Sequence, residues 1–184
     1  MPHARNESYS GPATYRLVEP ILRKGKRIMV VSPYIDSYYA EFILRHSRGK
    51  RIRIIASSMD KRALNMLSRG KRSMLPMLYS VCMAFITFLT INSDFYRLWP
   101  LPAAALAVSA MLSVRGAHGN DIIVRIPKRF THAKMYINEE CAANGSANLT
   151  YQGMHMNIEH IELIRNHGQR GELEREFWEL WRKA

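Results

Sequence analysis

RIMVVSPYIDSYYAEFILRHSRGKRIRIIASSMDKRALNML, residues 27–67, decides the fold class. Residues 27–32 form a short apolar run rich in β-branched side chains, which predicts a buried strand. Pro33 is expected to end it, leaving residues 33–36 as a loop. Ser37 is a candidate cap for a helix over residues 38–47, with Tyr39, Phe42, Ile43 and Leu44 on one side. Gly49 is the expected helix stop. Residues 51–57 begin by alternating basic and apolar side chains, as a half-buried strand does. Ser58 and Asp60 then offer caps for a helix through Leu67. Strand, helix, strand and helix in that order predict an α/β sheet with crossover connections.

Working outward, residues 1–11 are polar and contain Gly and Ser, and they are expected to fray. Residues 12–24 space their apolar side chains as an amphipathic helix, with Pro20 a kink or an early break. On the other side the pattern stops. Residues 74–91 (MLPMLYSVCMAFITFLTI) and 98–114 (LWPLPAAALAVSAMLSV) carry no charged side chain. As helices they would each cover roughly 25–27 Å, against a bilayer core of about 30 Å. Lys71 and Arg72 precede the first run and Arg115 follows the second, whereas the connector offsets Arg97 with Asp94. Tyr96 and Trp99 stand where an interfacial aromatic belt would lie. The reading is a two-helix transmembrane hairpin with both termini and the rest of the chain on the cytoplasmic side. A buried or re-entrant helical hairpin is the alternative. The expected organisation is a discontinuous domain of residues 1–72 and 116–184, interrupted by an inserted hairpin at 73–115.

Beyond a return loop at 116–120, residues 121–126 read as a strand. Residues 133–137 read as another, turned at 138–140 onto a partner beginning at 141–143. Residues 158–164 alternate as a half-exposed strand, 168–171 turn the chain, and 172–183 form an amphipathic helix with Leu173, Phe177, Leu180 and Trp181 on one face.

The formal net charge is +12 over 184 residues, unevenly placed. Residues 1–72 hold 16 Lys and Arg against 5 Asp and Glu, while residues 120–184 hold 9 of each. A basic half implies a polyanion partner, an anionic membrane surface, or the cytoplasmic flank of membrane spans. Cys82 and Cys141 lie in unlike surroundings, which excludes a disulfide-built secreted domain. The first residues have no apolar core of signal-peptide type, so the chain is expected to start in the cytosol.

The chemistry gathers in THAKMYINEECAANGSANLTYQGMHMNIE, residues 131–159. His132 and Lys134 are two apart on a predicted strand, so both are expected to project from one face. An imidazole beside an ammonium suits a phosphoryl group: lysine neutralises its oxygens while histidine attacks or exchanges a proton. Ser146 and Asn148, also two apart, follow Gly145 and can donate hydrogen bonds to phosphate oxygens. Gly145 permits close backbone approach or simply turns the chain. His155 and His160 read as surface or core residues, and Met154 and Met156 as core or dimer packing.

With His132-Ala-Lys134, Glu139, Gly145-Ser-Ala-Asn148 and Glu159 in this order, the run resembles the phospholipase D superfamily. The family pattern is His-x-Lys-x4-Asp followed by Gly-Ser-x-Asn. This chain departs from it in Glu139, which stands for the aspartate, and in a following segment shorter by one residue. The resemblance implies a mixed β-sheet flanked by helices, here with the hairpin inserted. It implies His132 as nucleophile, and Lys134, Ser146 and Asn148 on the phosphate. Glu159 would orient His132, and Glu139 and Gly145 would serve structure. It implies hydrolysis through a phosphohistidine with no metal and no cofactor. Family sites use two copies of the motif and this chain has one, so a homodimer sharing one site is implied. The expected substrate is DNA or RNA, with a phospholipid as the alternative; a non-catalytic membrane-tethered nucleic-acid binder is the third reading.

Overall fold

The computed structural model describes residues 6–68 and 121–184, together with Cys82. The chain divides into two units, Met1–Lys71 with Asn120–Ala184, and Arg72–Gly119. Within the first unit the described residues build a sheet of seven strands in the order β1-β7-β6-β5-β2-β3-β4. The strands are β1 (Glu7–Gly11), β2 (Arg27–Ile35), β3 (Arg51–Met59), β4 (Asp121–Arg125), β5 (Met135–Ile137), β6 (Ala142–Gly145) and β7 (Glu159–Ile164). β2, β3 and β4 run parallel, and the other pairs are antiparallel. The helices are α1 (Tyr15–Lys24), α2 (Ser37–Arg45), α3 (Lys61–Ser68) and α4 (His167–Lys183).

Two apolar layers hold the sheet. On one face Val18, Ile21, Tyr39, Ile43, Ala63 and Leu67 pack from α1, α2 and α3 onto Val30, Ile54 and Ile122. On the other, Leu173, Phe177 and Trp181 of α4 pack onto Met29, Val31, Ile55 and Ile137. Their spacing places Leu173, Phe177 and Trp181 on one helical stripe, as the sequence predicts. Leu180 is only partly buried.

Several boundaries differ from expectation for identifiable reasons. β2 runs through Pro33 to Ile35. Along β2, β5 pairs with Met29, Val30 and Val31 alone, so Pro33 lies past that ladder and its missing N–H breaks no bond to β5. Asp36, not Ser37, caps α2: its carboxylate accepts from the Tyr39 N–H at 3.0 Å. Asp60 caps α3 in the same way through the Ala63 N–H. Pro20 sits inside α1 without ending it. Residues 168–171 are helical, because the Asn166 side chain accepts from Gly168 and Gln169 N–H groups and starts α4 at His167. Of residues 1–11, expected to fray, residues 1–5 lie outside the described residues and Glu7–Gly11 instead form β1, an exposed edge strand paired along β7. It is held by backbone pairing and by Arg165–Glu7 at 3.2 Å, so it lacks the apolar alternation that marks a strand in sequence. A π-helical turn at Gln152–Met156 also had no sequence signal. Among the described residues no helix is long and apolar enough to cross a membrane. The runs 74–91 and 98–114, Cys82 excepted, lie outside the described residues. Cys82 and Cys141 are free thiols.

Candidate active site

His132 and Lys134 precede β5 rather than belonging to it. They meet all the same: the Lys134 ammonium lies 2.7 Å from His132 Nδ1 and donates to the His132 carbonyl at 2.8 Å. A charged ammonium only donates, so Nδ1 accepts and the imidazole proton sits on Nε2 in this state. Lys134 is 6% exposed. Burial holds its ammonium below the ordinary lysine range, and the negative charge of Glu159 opposes that shift.

The Gly145-Ser-x-Asn segment is fastened beside this pair. The Gly145 N–H donates to the Lys134 carbonyl at 3.3 Å, and the Ser146 N–H to the His160 carbonyl at 2.9 Å. Gly145 is required by space: a Cβ there would stand 2.0 Å from the His160 carbonyl oxygen of β7. Ser146 Oγ donates to Glu159 at 2.5 Å and accepts from the His160 N–H at 3.0 Å. The second oxygen of Glu159 accepts from Asn157 at 3.2 Å. Within this chain Glu159 therefore bonds Ser146 and Asn157, and makes no hydrogen bond to His132. Asn148 presents a buried side-chain oxygen that has no hydrogen-bond partner among the described residues. An unpaired buried polar atom costs about 1–3 kcal/mol.

Glu139 stands elsewhere. Its carboxylate accepts from the backbone N–H groups of Lys26 (2.8 Å) and Arg27, where α1 hands over to β2. Burial alone would push this carboxyl up. The backbone donors and the charge of Arg27 outweigh it and hold the group below the usual carboxylate range. Asn138 supports the same turn by accepting from Glu140 and Cys141 N–H groups.

Three positioning side chains had no signal in the sequence. Ser32 Oγ accepts from the Leu149 N–H at 2.9 Å. Asp36, besides capping α2, accepts from the Tyr151 N–H at 2.5 Å. Tyr136 donates to the Ala147 carbonyl at 2.7 Å. Together they pin both sides of Asn148 to the end of β2 and to β5. Each joins residues far apart in the chain, so spacing could not reveal them. Beside His132 opens a cavity of about 530 Å³, lined among others by Lys128, Arg129, Phe130 and Lys183, with no carboxylate side chain among the described residues of its wall.

The sequence matches the family model described as "Cardiolipin synthase, PLD-like domain" over residues 17–181. Among curated proteins, none matches it. Solved structures share its fold at low identity. Nuc from Salmonella typhimurium, a phospholipase D family member, is 13% identical with a TM-score of 0.58, covering 97% of this chain and 96% of its own. NucT from Helicobacter pylori is 12% identical with a TM-score of 0.57, with the same coverage of 97% and 96%. A phosphatidylserine synthase from Haemophilus influenzae is 12% identical with a TM-score of 0.50, covering 94% of this chain and 36% of its own.

Proposed function

This chain belongs to the PLD-like domain family, and from that premise we propose that it is a membrane-anchored, homodimeric phosphodiesterase that hydrolyses nucleic acid. The observation that carries the chemistry is the 2.7 Å contact between the Lys134 ammonium and His132 Nδ1. A phosphate diester entering here offers Lys134 a stronger acceptor than an imidazole nitrogen. The ammonium turns to the phosphate, His132 Nδ1 is released, and the ring proton is free to change nitrogen. A ring nitrogen of His132 then attacks phosphorus, forming a P–N bond as the P–O bond to the leaving oxygen breaks. The partner's His132, in its imidazolium form, gives that oxygen a proton and is left neutral, ready to act as base. Water next attacks the phosphohistidine, yields a proton to the partner's His132 and releases a phosphate monoester. Lys134 and the side-chain amide N–H group of Asn148 donate to the phosphate oxygens in the manner of preorganised donors, and Ser146 joins them once its hydroxyl proton turns from Glu159 to the phosphate. Glu159 holds Ser146 in this chain, and its alignment of His132 is a property of the assembled dimer.

Nucleic acid is favoured by the cations Lys128, Arg129 and Lys183 that line the cavity next to His132. The charge-free runs 74–91 and 98–114 support the anchor, with the catalytic unit on the cytoplasmic side. The family description favours a second reading, a phospholipid headgroup as substrate. Purified full chain should cleave DNA or RNA in EDTA, and His132→Asn should abolish it. Cleavage that survives this substitution removes the assignment, and headgroup release from labelled liposomes without nuclease activity selects the phospholipid. A chain that binds either substrate but traps no phosphohistidine on His132 is a binder only.

A further inference from the structure

Beside the phosphate-handling residues stands an aromatic pair that neither the fold nor the hydrolysis uses. Phe130 is 56% exposed and Tyr34 47%. Their ring centroids are 5.9 Å apart, and the Phe130 ring stands edge-on to His132 at 5.8 Å. Phe130 also lines the 530 Å³ cavity, whose apolar floor is Ile55, Pro127 and Leu180. Its cations Lys128, Arg129 and Lys183 make no hydrogen bond or ion pair among the described residues. The cavity thus joins a ring, an apolar floor and unneutralised positive charge to the candidate nucleophile.

We propose that Phe130 and Tyr34 form a stacking platform for an unpaired base next to the scissile phosphate, with Lys128, Arg129 and Lys183 holding the neighbouring phosphates. The proposal rests on the nucleic-acid reading and narrows it to single-stranded or locally opened substrate. A ring face accepts any base, and side-chain cations track a backbone, which is how strands are held without sequence preference. A base in a duplex has both faces stacked already, so the platform is open only to a nucleotide out of the helix. Phospholipid headgroups carry no planar ring to occupy it.

The test uses the full chain in detergent and an oligonucleotide with one abasic residue scanned past the cleavage site. Single strands should be cut in preference to duplex. An abasic residue adjacent to the scissile phosphate should raise KM roughly tenfold. Phe130→Ala should show that loss on the intact strand and no further loss on the abasic one, and Phe130→Trp should restore the difference. Tyr34→Ala should act in the same direction. Equal cutting of intact and abasic strands by the unaltered protein overturns the platform, as does a Phe130→Ala loss that is the same on both strands. A Phe130→Ala protein that sizes as a monomer assigns the ring to subunit contact and also overturns it. If no nuclease activity depends on His132, the nucleic-acid reading itself has failed. Anisotropy of the labelled intact and abasic strands then decides the platform separately, with equal affinities counting against it.

Discussion

The Lys134 ammonium and the His132 imidazole touch at 2.7 Å, although both residues precede the strand that was expected to align them. The contact is made because Lys134 turns back onto its neighbour two residues earlier, bonding both the ring and the carbonyl of His132. A buried ammonium with so few partners is held below its ordinary pKa.

The first prediction concerns this depression. Phosphate binding needs Lys134 charged, and burial lowers its pKa against the opposing pull of Glu159. The alkaline limb of kcat/KM should therefore fall at a pH below the ordinary lysine range. In kcat the same limb should move upward, because bound phosphate favours the charged form. Lys134→Ala should lower kcat/KM by about 10²–10³-fold, as loss of one preorganised donor does.

Glu139 should behave as a structural carboxylate. Glu139→Ala removes the acceptor for the Lys26 and Arg27 N–H groups and should cost about 1–2 kcal/mol, discounted because the site is partly solvated. Its folded pKa is depressed, so its contribution is complete above the unfolded value and is lost as pH falls through the folded one. Denaturant curves of the two proteins should converge toward acid, and kcat of the folded variant should stay near that of the parent.

Gly145→Ala should damage the fold before the chemistry. The new Cβ would stand 2.0 Å from the His160 carbonyl oxygen, and a strand carbonyl cannot swing aside as a flexible side chain does. β6 and β7 must separate, which also spoils the Ser146 to Glu159 bond. A loss of more than about 2 kcal/mol is expected by chemical denaturation.

Asn148 should show the opposite division. Its buried oxygen has no partner, so Asn148→Ala removes an unpaid polar burial and should leave Tm unchanged or raised. The same variant loses a phosphate ligand, and KM should rise about tenfold. A clear fall in Tm would mean that the side chain serves the fold.

The order of elements was legible from sequence wherever a local pattern carried it. Alternation in residues 51–57, the apolar stripe of α4 and the cap at Asp60 depend on neighbours within a turn or two, whereas α2 ends at Arg45 with His46 as its C-cap, short of the expected stop at Gly49. The residue types of the site are legible in the same way: His132, Lys134, Gly145, Ser146, Asn148 and Glu159 stand at readable spacings within the residues that the family model matches. What the tertiary structure decided are contacts with no local signature. β1 is a strand because β7 offers its edge, not because of its own side chains. Glu139 serves the start of β2, with its partners more than a hundred residues away in sequence. Ser32, Asp36 and Tyr136 hold the Asn148 segment through bonds that only folding brings together. Periodicity and capping follow from backbone geometry along one element. The burial of Lys134 and the direction of the Glu159 carboxylate follow from which elements pack side by side, and that is settled only when the sheet closes.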